Sequence, residues 1–193
     1  MPNARFLTNF ADQAVLLPLA ICVGLTFAIA GWRRGAIAWT VAVGGTFLIT
    51  LSLKLIFLAC GHLLPFPDVR SPSGHTAASA VVYGSLLALG IRRVTGHARW
   101  TVPSAVLVTL VIGASRLALG LHTGQEVLLG GIIGVGGAIV AGVGAGPPPA
   151  RLPVRVLTAV ALGIVVFFHG FHLPAEAAIR SVALNLWPLS SCR

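Results

Sequence analysis

Ser71-Pro72-Ser73-Gly74-His75-Thr76, the pair Ser115-Arg116, and His122 with Glu126 four residues on are polar residues set against long apolar stretches. In lipid an ionisable side chain costs several kcal/mol unless it is used, so such residues read first as a functional site. Their types suit a tetrahedral anion. A helix starting beside Gly74 presents free backbone amides and the positive end of its dipole. Gly74 lets the backbone approach closely, Ser73 offers a hydroxyl, Arg116 grips two oxygens at once, and Lys54 adds a point charge. Two histidines flanking such a cradle suit in-line displacement at phosphorus: one attacks, the other protonates the departing oxygen, and water then hydrolyses a phosphohistidine. His122 and Glu126 share a helix face at their spacing, so the carboxylate accepts a ring N–H and orients the imidazole. This makes His122 the expected nucleophile.

The solvent of these residues follows from composition. The chain has 193 residues, of which 56% are hydrophobic and 9% charged, with a mean hydropathy of +0.95; soluble domains carry roughly 25% charged residues. An all-α, polytopic membrane protein is expected, a bundle of about six transmembrane helices forming a single domain over 1–193. The spans read as Val15 to Gly31, Ala36 to Cys60, His75 or Thr76 to Ile91, Val102 to Leu119, Gly124 to about Gly144, and Val154 to Phe171. Residues 1–13 are expected to be a surface helix or a lead-in and not a cleaved leader, and Ala175 to Leu186 a further amphipathic helix. The glycines Gly130, Gly131, Gly134, Gly136 and Gly137 read as helix packing in lipid.

The formal net charge is +9. The arginines form no single stripe interleaved with aromatics, which argues against nucleic acid. They sit instead in alternate loops: Arg33, Arg34, Arg92, Arg93, Arg99, Arg151 and Arg155 on one face, with Arg70 the basic loop residue of the other. The bias of basic loops toward the cytoplasm makes the first face cytoplasmic, so the polar cluster is expected to face the periplasm or exterior of an inner membrane. The cysteines Cys22, Cys60 and Cys192 lack metal-ligand spacing and are expected as free thiols. His62, His97, His169 and His172 stand outside any pattern and read as structural.

Pro72-Ser73-Gly74-His75 and Ser115-Arg116-x5-His122-x3-Glu126 resemble the second and third signature motifs, PSGH and SRx5Hx3D, of the type 2 phosphatidic acid phosphatase (PAP2) superfamily, in its membrane lipid phosphatase branch. The resemblance covers roughly residues 54–130. It implies a six-span bundle, metal- and cofactor-free hydrolysis, His122 as nucleophile, His75 as general acid, and Ser73, Gly74 and Arg116 as phosphate binders. The substrates it implies are phospholipid or polyprenyl phosphates and diphosphates, such as undecaprenyl diphosphate, phosphatidic acid, phosphatidylglycerol phosphate or lipid A phosphate. There are two departures. Glu126 stands where the family has aspartate, and the first motif, Kx6RP, is incomplete: Lys54 is followed at that spacing by Gly61-His62. Arg70 or His62 is the expected replacement for its arginine. The incomplete motif also motivates a second reading, a non-hydrolytic lipid-phosphate binding or transport protein on the same scaffold. A vanadium haloperoxidase, also in the superfamily, fits so hydrophobic a chain poorly.

Overall fold

A computed structural model describes residues 2–60 and 69–186. The described residues form helices joined by short turns, with no strand: α1 (Pro2–Asn9), α2 (Gln13–Ile29), α3 (Arg33–Cys60), α4 (Gly74–Thr95), a 3-10 turn (Ala98–Trp100), α5 (Thr101–Ala118), α6 (Gly124–Ala145), α7 (Val154–Phe168) and α8 (Ala175–Leu186). Five segments are long and apolar enough to cross a membrane: Pro2–Ile29, Arg33–Cys60, Gly74–Thr95, Ala98–Ala118 and Gly124–Ala145. The outside of the bundle agrees, since large apolar side chains such as Ile29 (86% exposed) and Val166 (78% exposed) point away from the protein. A surface of that kind has lipid as its natural solvent, and the protein is a membrane protein.

The expected sixth span is shorter than its sequence suggests. α7 holds 15 residues, about 22 Å at 1.5 Å per residue, against a hydrocarbon core of about 30 Å. Pro153 precedes it, and the turn after it contains Gly170 at φ +94°. A conformation of this kind suits glycine and cannot continue a helix.

Chain punctuation sets the other ends. Asp12 caps α2 by accepting the Ala14 amide at 2.9 Å, and α4 closes on left-handed Gly96 with Arg92 and Arg93 in its last turn, where cations favour the helix dipole. The arginine-rich turns gather at one end of the bundle. Arg34 Nε donates to the Gly144 carbonyl at 2.8 Å, and Arg93 Nη1 donates to the Pro149 carbonyl at 3.3 Å. The start of α4, and with it the polar cluster, lies at the opposite end.

Between the two ends the packing is close because small residues face one another. α6 lies against α3, α4 and α5. A Cβ on Gly134 would come within 2.6 Å of Ala80 Cβ, and one on Gly137 within 3.0 Å of Val81 Cγ2, whereas one on Gly136 would meet nothing within 4 Å. Packing therefore accounts for Gly134 and Gly137, and Gly136 lies outside the contact. α2 closes the other side of the bundle with Leu16, Leu19, Val23 and Phe27 against Trp39 and Val82, and the Trp39 indole N–H donates to the Ala20 carbonyl at 2.8 Å. Cys22 is a free thiol, but Cys60 is disulfide-bonded, which corrects the expectation of free thiols throughout.

Overpacking in a closed interface costs about 1–3 kcal/mol. Gly134→Val is therefore expected to lower the detergent-solubilised melting temperature by several degrees. Gly136→Ala is expected to leave it unchanged or raise it slightly through helix propensity. Thermal unfolding of the two variants side by side checks both outcomes.

Candidate active site

The site is assembled around the carboxylate of Glu126. This residue is third in α6 and forms a capping box with Thr123: the Glu126 amide donates to Thr123 Oγ1 at 3.4 Å, and the Thr123 amide donates to Glu126 Oε2 at 3.0 Å. Oε2 also accepts from the His122 ring at Nδ1, 2.9 Å away, while Oε1 accepts the amides of Arg70 at 2.8 Å and Ser71 at 3.1 Å. The Glu126 carbonyl in turn accepts the Ser73 amide at 2.9 Å. One side chain thus ties the start of α6 to the strand of loop that leads into α4. An ionised carboxylate only accepts, so Nδ1 of His122 carries the proton and Nε2 presents its lone pair.

Ser73 is the N-cap of α4. It is fully buried, and its hydroxyl is shared with Thr76, at 2.9 Å from the Thr76 hydroxyl and 3.5 Å from its amide. It therefore shapes the helix end from within. The amides of Gly74 and His75 have no acceptor among the described residues and are the donors this end leaves for an anion. Gly74 has a second role: a Cβ there would lie 3.3 Å from Lys54 Cε, so the missing side chain is the space through which the lysine stem passes.

Lys54, on α3, is 4% exposed. Its ammonium is paired with Glu176, near the start of α8. Arg116, in the last turn of α5, is buried as well; its Nη1 donates to Thr8 Oγ1 of α1 at 3.1 Å, and its Nε has no partner among the described residues. Glu176 also acts electrostatically on Arg116, and Arg116, Lys54 and His122 all act on His75. The two histidines, the lysine and the arginine form one cluster at one end of the bundle, as their positions in the sequence predict.

His75 and Arg116 open onto a cavity of about 460 Å³ whose facing wall is Arg5, Thr8 and Asn9 of α1, completed by Asp12 and His172. His122 and Lys54 are not among its lining residues. The Arg70 side chain is exposed and outside the cavity lining; what Arg70 gives the site is its amide. His62 lies outside the described residues. Three contributors have no motif to announce them: Arg5 and His172 in the cavity, and Glu176 on Lys54. His172 Nε2 lies 3.1 Å from Asn9 Oδ1, which ties the segment before α8 to α1. The six expected spans return both flanking segments to the end that carries the cluster, but nothing in the sequence marks which of their residues reach it.

Burial holds the His122 imidazole below its ordinary pKa of 6.5, opposed by the hydrogen bond and charge of Glu126, and with Arg116 and Lys54 adding to the lowering. The ring is therefore neutral at pH 7, as a nucleophile requires. Because Glu126 favours the protonated ring, removing its charge lowers the pKa further. NMR titration of His122 is expected to give a midpoint below 6.5, and Glu126→Gln a midpoint lower still; a rise in the variant contradicts the assigned pairing.

An all-helical membrane bundle with a carboxylate-oriented histidine among buried cations defines the class of site. The sequence places it further: the family model of the PAP2 superfamily matches residues 56–143, a segment that holds both histidines, Arg116 and Glu126. The match supports phosphatase chemistry on phosphate esters. A relative described as an uncharacterized 22.5 kDa protein in the cps region of Klebsiella pneumoniae is 26% identical over 194 residues, covering 97% of this chain and 93% of its own length. No solved structure matches significantly.

Proposed function

We propose that this protein hydrolyses the terminal phosphate of a membrane lipid phosphate or diphosphate through a phosphohistidine on His122. The observation that carries this reading is the His122–Glu126 pair, at 2.9 Å, set among Lys54, Arg116 and the uncapped amides of Gly74 and His75. Nε2 of His122 attacks phosphorus, the phosphorus–oxygen bond to the lipid breaks, and His75 gives its proton to the departing oxygen. The negative charge of the phosphate itself favours a proton on the neighbouring His75 ring. Water then attacks the phosphohistidine with His75 as base, releasing inorganic phosphate and restoring both rings. Lys54, Arg116 and the amides of Gly74 and His75 hold the equatorial oxygens, Ser73 holds the helix end in place, and Arg70 stands at the rim.

Two features support anion binding at this end. Glu176 already sets a carboxylate against Lys54 and acts on Arg116, standing in for a pair of phosphate oxygens; a phosphate that engages Lys54 displaces it. The surface of the bundle is apolar up to the site, so the substrate class that reaches it is amphiphilic, a phospholipid or polyprenyl (di)phosphate. Orientation rests on two independent arguments. The arginine-rich turns lie at the other end, which the positive-inside bias puts in the cytoplasm. Cys60, at the site end of α3, is disulfide-bonded, and such bonds persist in oxidising compartments. Both support a site on the periplasmic or outer side of a bacterial-type inner membrane.

Purified protein is expected to release inorganic phosphate from a panel of lipid monophosphates and diphosphates in EDTA, with activity falling as pH drops below 6.5 and His122 takes up a proton. His122→Ala is expected to abolish release, and Glu126→Gln to reduce it roughly 10²- to 10⁴-fold. Phosphate release by His122→Ala at the wild-type rate refutes the assigned nucleophile. Tight orthovanadate binding with no turnover on any lipid of the panel favours a binding or transport protein instead, the reading to which the incomplete first motif points.

A further inference from the structure

The first motif lacks its arginine, yet the cavity in front of His75 does not lack a second guanidinium. Arg5 of α1 lines it together with Arg116, and among the described residues the Arg5 side chain has no hydrogen bond or ion pair. α1 is held in place from several sides: Arg116 Nη1 donates to Thr8 Oγ1 at 3.1 Å, the His169 ring lies 3.1 Å from the Phe6 carbonyl, and the Tyr83 hydroxyl donates to the Phe10 carbonyl at 2.8 Å. Asp12, the acidic residue of the same wall, is already occupied, its Oδ1 accepting the amides of Ala14 at 2.9 Å and Leu173 at 3.2 Å. It does not claim Arg5. Arg116 lines the same cavity, and its buried Nε has no partner among the described residues. A buried donor left unpaired by the described residues calls for an acceptor from elsewhere.

We propose that Arg5 is a substrate-phosphate ligand, taking from the N-terminal helix the place of the arginine missing after Lys54. The proposal rests on the phosphate-ester reading of the site. Arg5 and Arg116 line the same cavity as His75, and each carries N–H donors that can reach phosphate oxygens there. The phosphate is thereby gripped on the side from which the proton is delivered. α1 becomes part of the binding machinery and not only an attachment to the lipid surface.

The test compares the full-length protein with Arg5→Ala, Arg5→Lys, Arg70→Ala and, as a control on the same helix, Asn3→Ala. Orthovanadate affinity, KM and kcat for a lipid phosphate, and melting temperature are measured for each. Loss of a charged hydrogen-bonding partner predicts that Arg5→Ala weakens orthovanadate binding and raises KM about 10- to 100-fold. Smaller changes in kcat, partial recovery in Arg5→Lys and an unaltered melting temperature are expected with it. Binding within twofold of Asn3→Ala overturns the proposal, as does a loss that appears in Arg70→Ala and not in Arg5→Ala, or a fall in melting temperature that by itself accounts for the weaker binding. Orthovanadate binding that depends on Arg5, in a protein with no turnover, upholds the ligand and removes the hydrolase. Wild-type protein that binds no orthovanadate removes both.

Discussion

The buried carboxylate of Glu126 is the point on which the rest of the site depends. It accepts the His122 ring and three backbone amides, from Thr123, Arg70 and Ser71. A lone carboxylate at this depth would cost several kcal/mol, and a set of donors offsets that cost only when all of them are in place. The geometry is therefore all or nothing. Forming it fixes the tautomer of His122, the start of α6 and the path of the loop into α4 in a single step, and the Ser73 amide on the Glu126 carbonyl locks the α4 cap to the same residue.

Close packing then makes these anchor points coincide with the cations. α4 and α6 approach through Gly134 and Ala80, so their N-terminal ends stand side by side at one end of the bundle. A wider interface would separate His75 from His122 and leave the Gly74 and His75 amides facing a gap. Gly74 does the equivalent for Lys54, whose stem fills the space a Cβ would take. In lipid, where burying apolar surface drives helix association less than in water, such contacts between small residues are what hold helices together.

Much of this was legible in the chain. Long apolar runs bounded by Trp32-Arg33-Arg34, Gly96 and Gly146-Pro147-Pro148-Pro149 marked α2 to α6 to within a few residues, because a span needs its length and cannot pass through glycine–proline punctuation. The spacing of His122 and Glu126 foretold their pairing but not its setting: His122 precedes the N-cap Thr123 and lies outside α6, so the ring meets the carboxylate across the helix cap and not along a shared helix face. The short α7 was not legible: hydropathy continues through Phe171, whereas Gly170 ends the helix. The contacts of α1 and α8 were not legible either. Thr8 meets Arg116 across 108 residues and Lys54 meets Glu176 across 122, and no periodicity in a single sequence encodes a pairing at that separation.

The substitution of glutamate for the family's aspartate follows from the same geometry. The carboxylate must accept the Thr123 amide in a capping box, the ring of His122, and the amides of Arg70 and Ser71 in a neighbouring loop. At the third position of a helix the longer side chain folds back over the helix end, as capping boxes with Glu or Gln do. An aspartate there is one methylene shorter; to keep the imidazole it would have to draw the 70–71 loop inward, and with it the start of α4. The extra reach of Glu126 and the position of the α4 cap are two sides of one arrangement, in which the residue that aims the His122 ring also sets the helix end beside it.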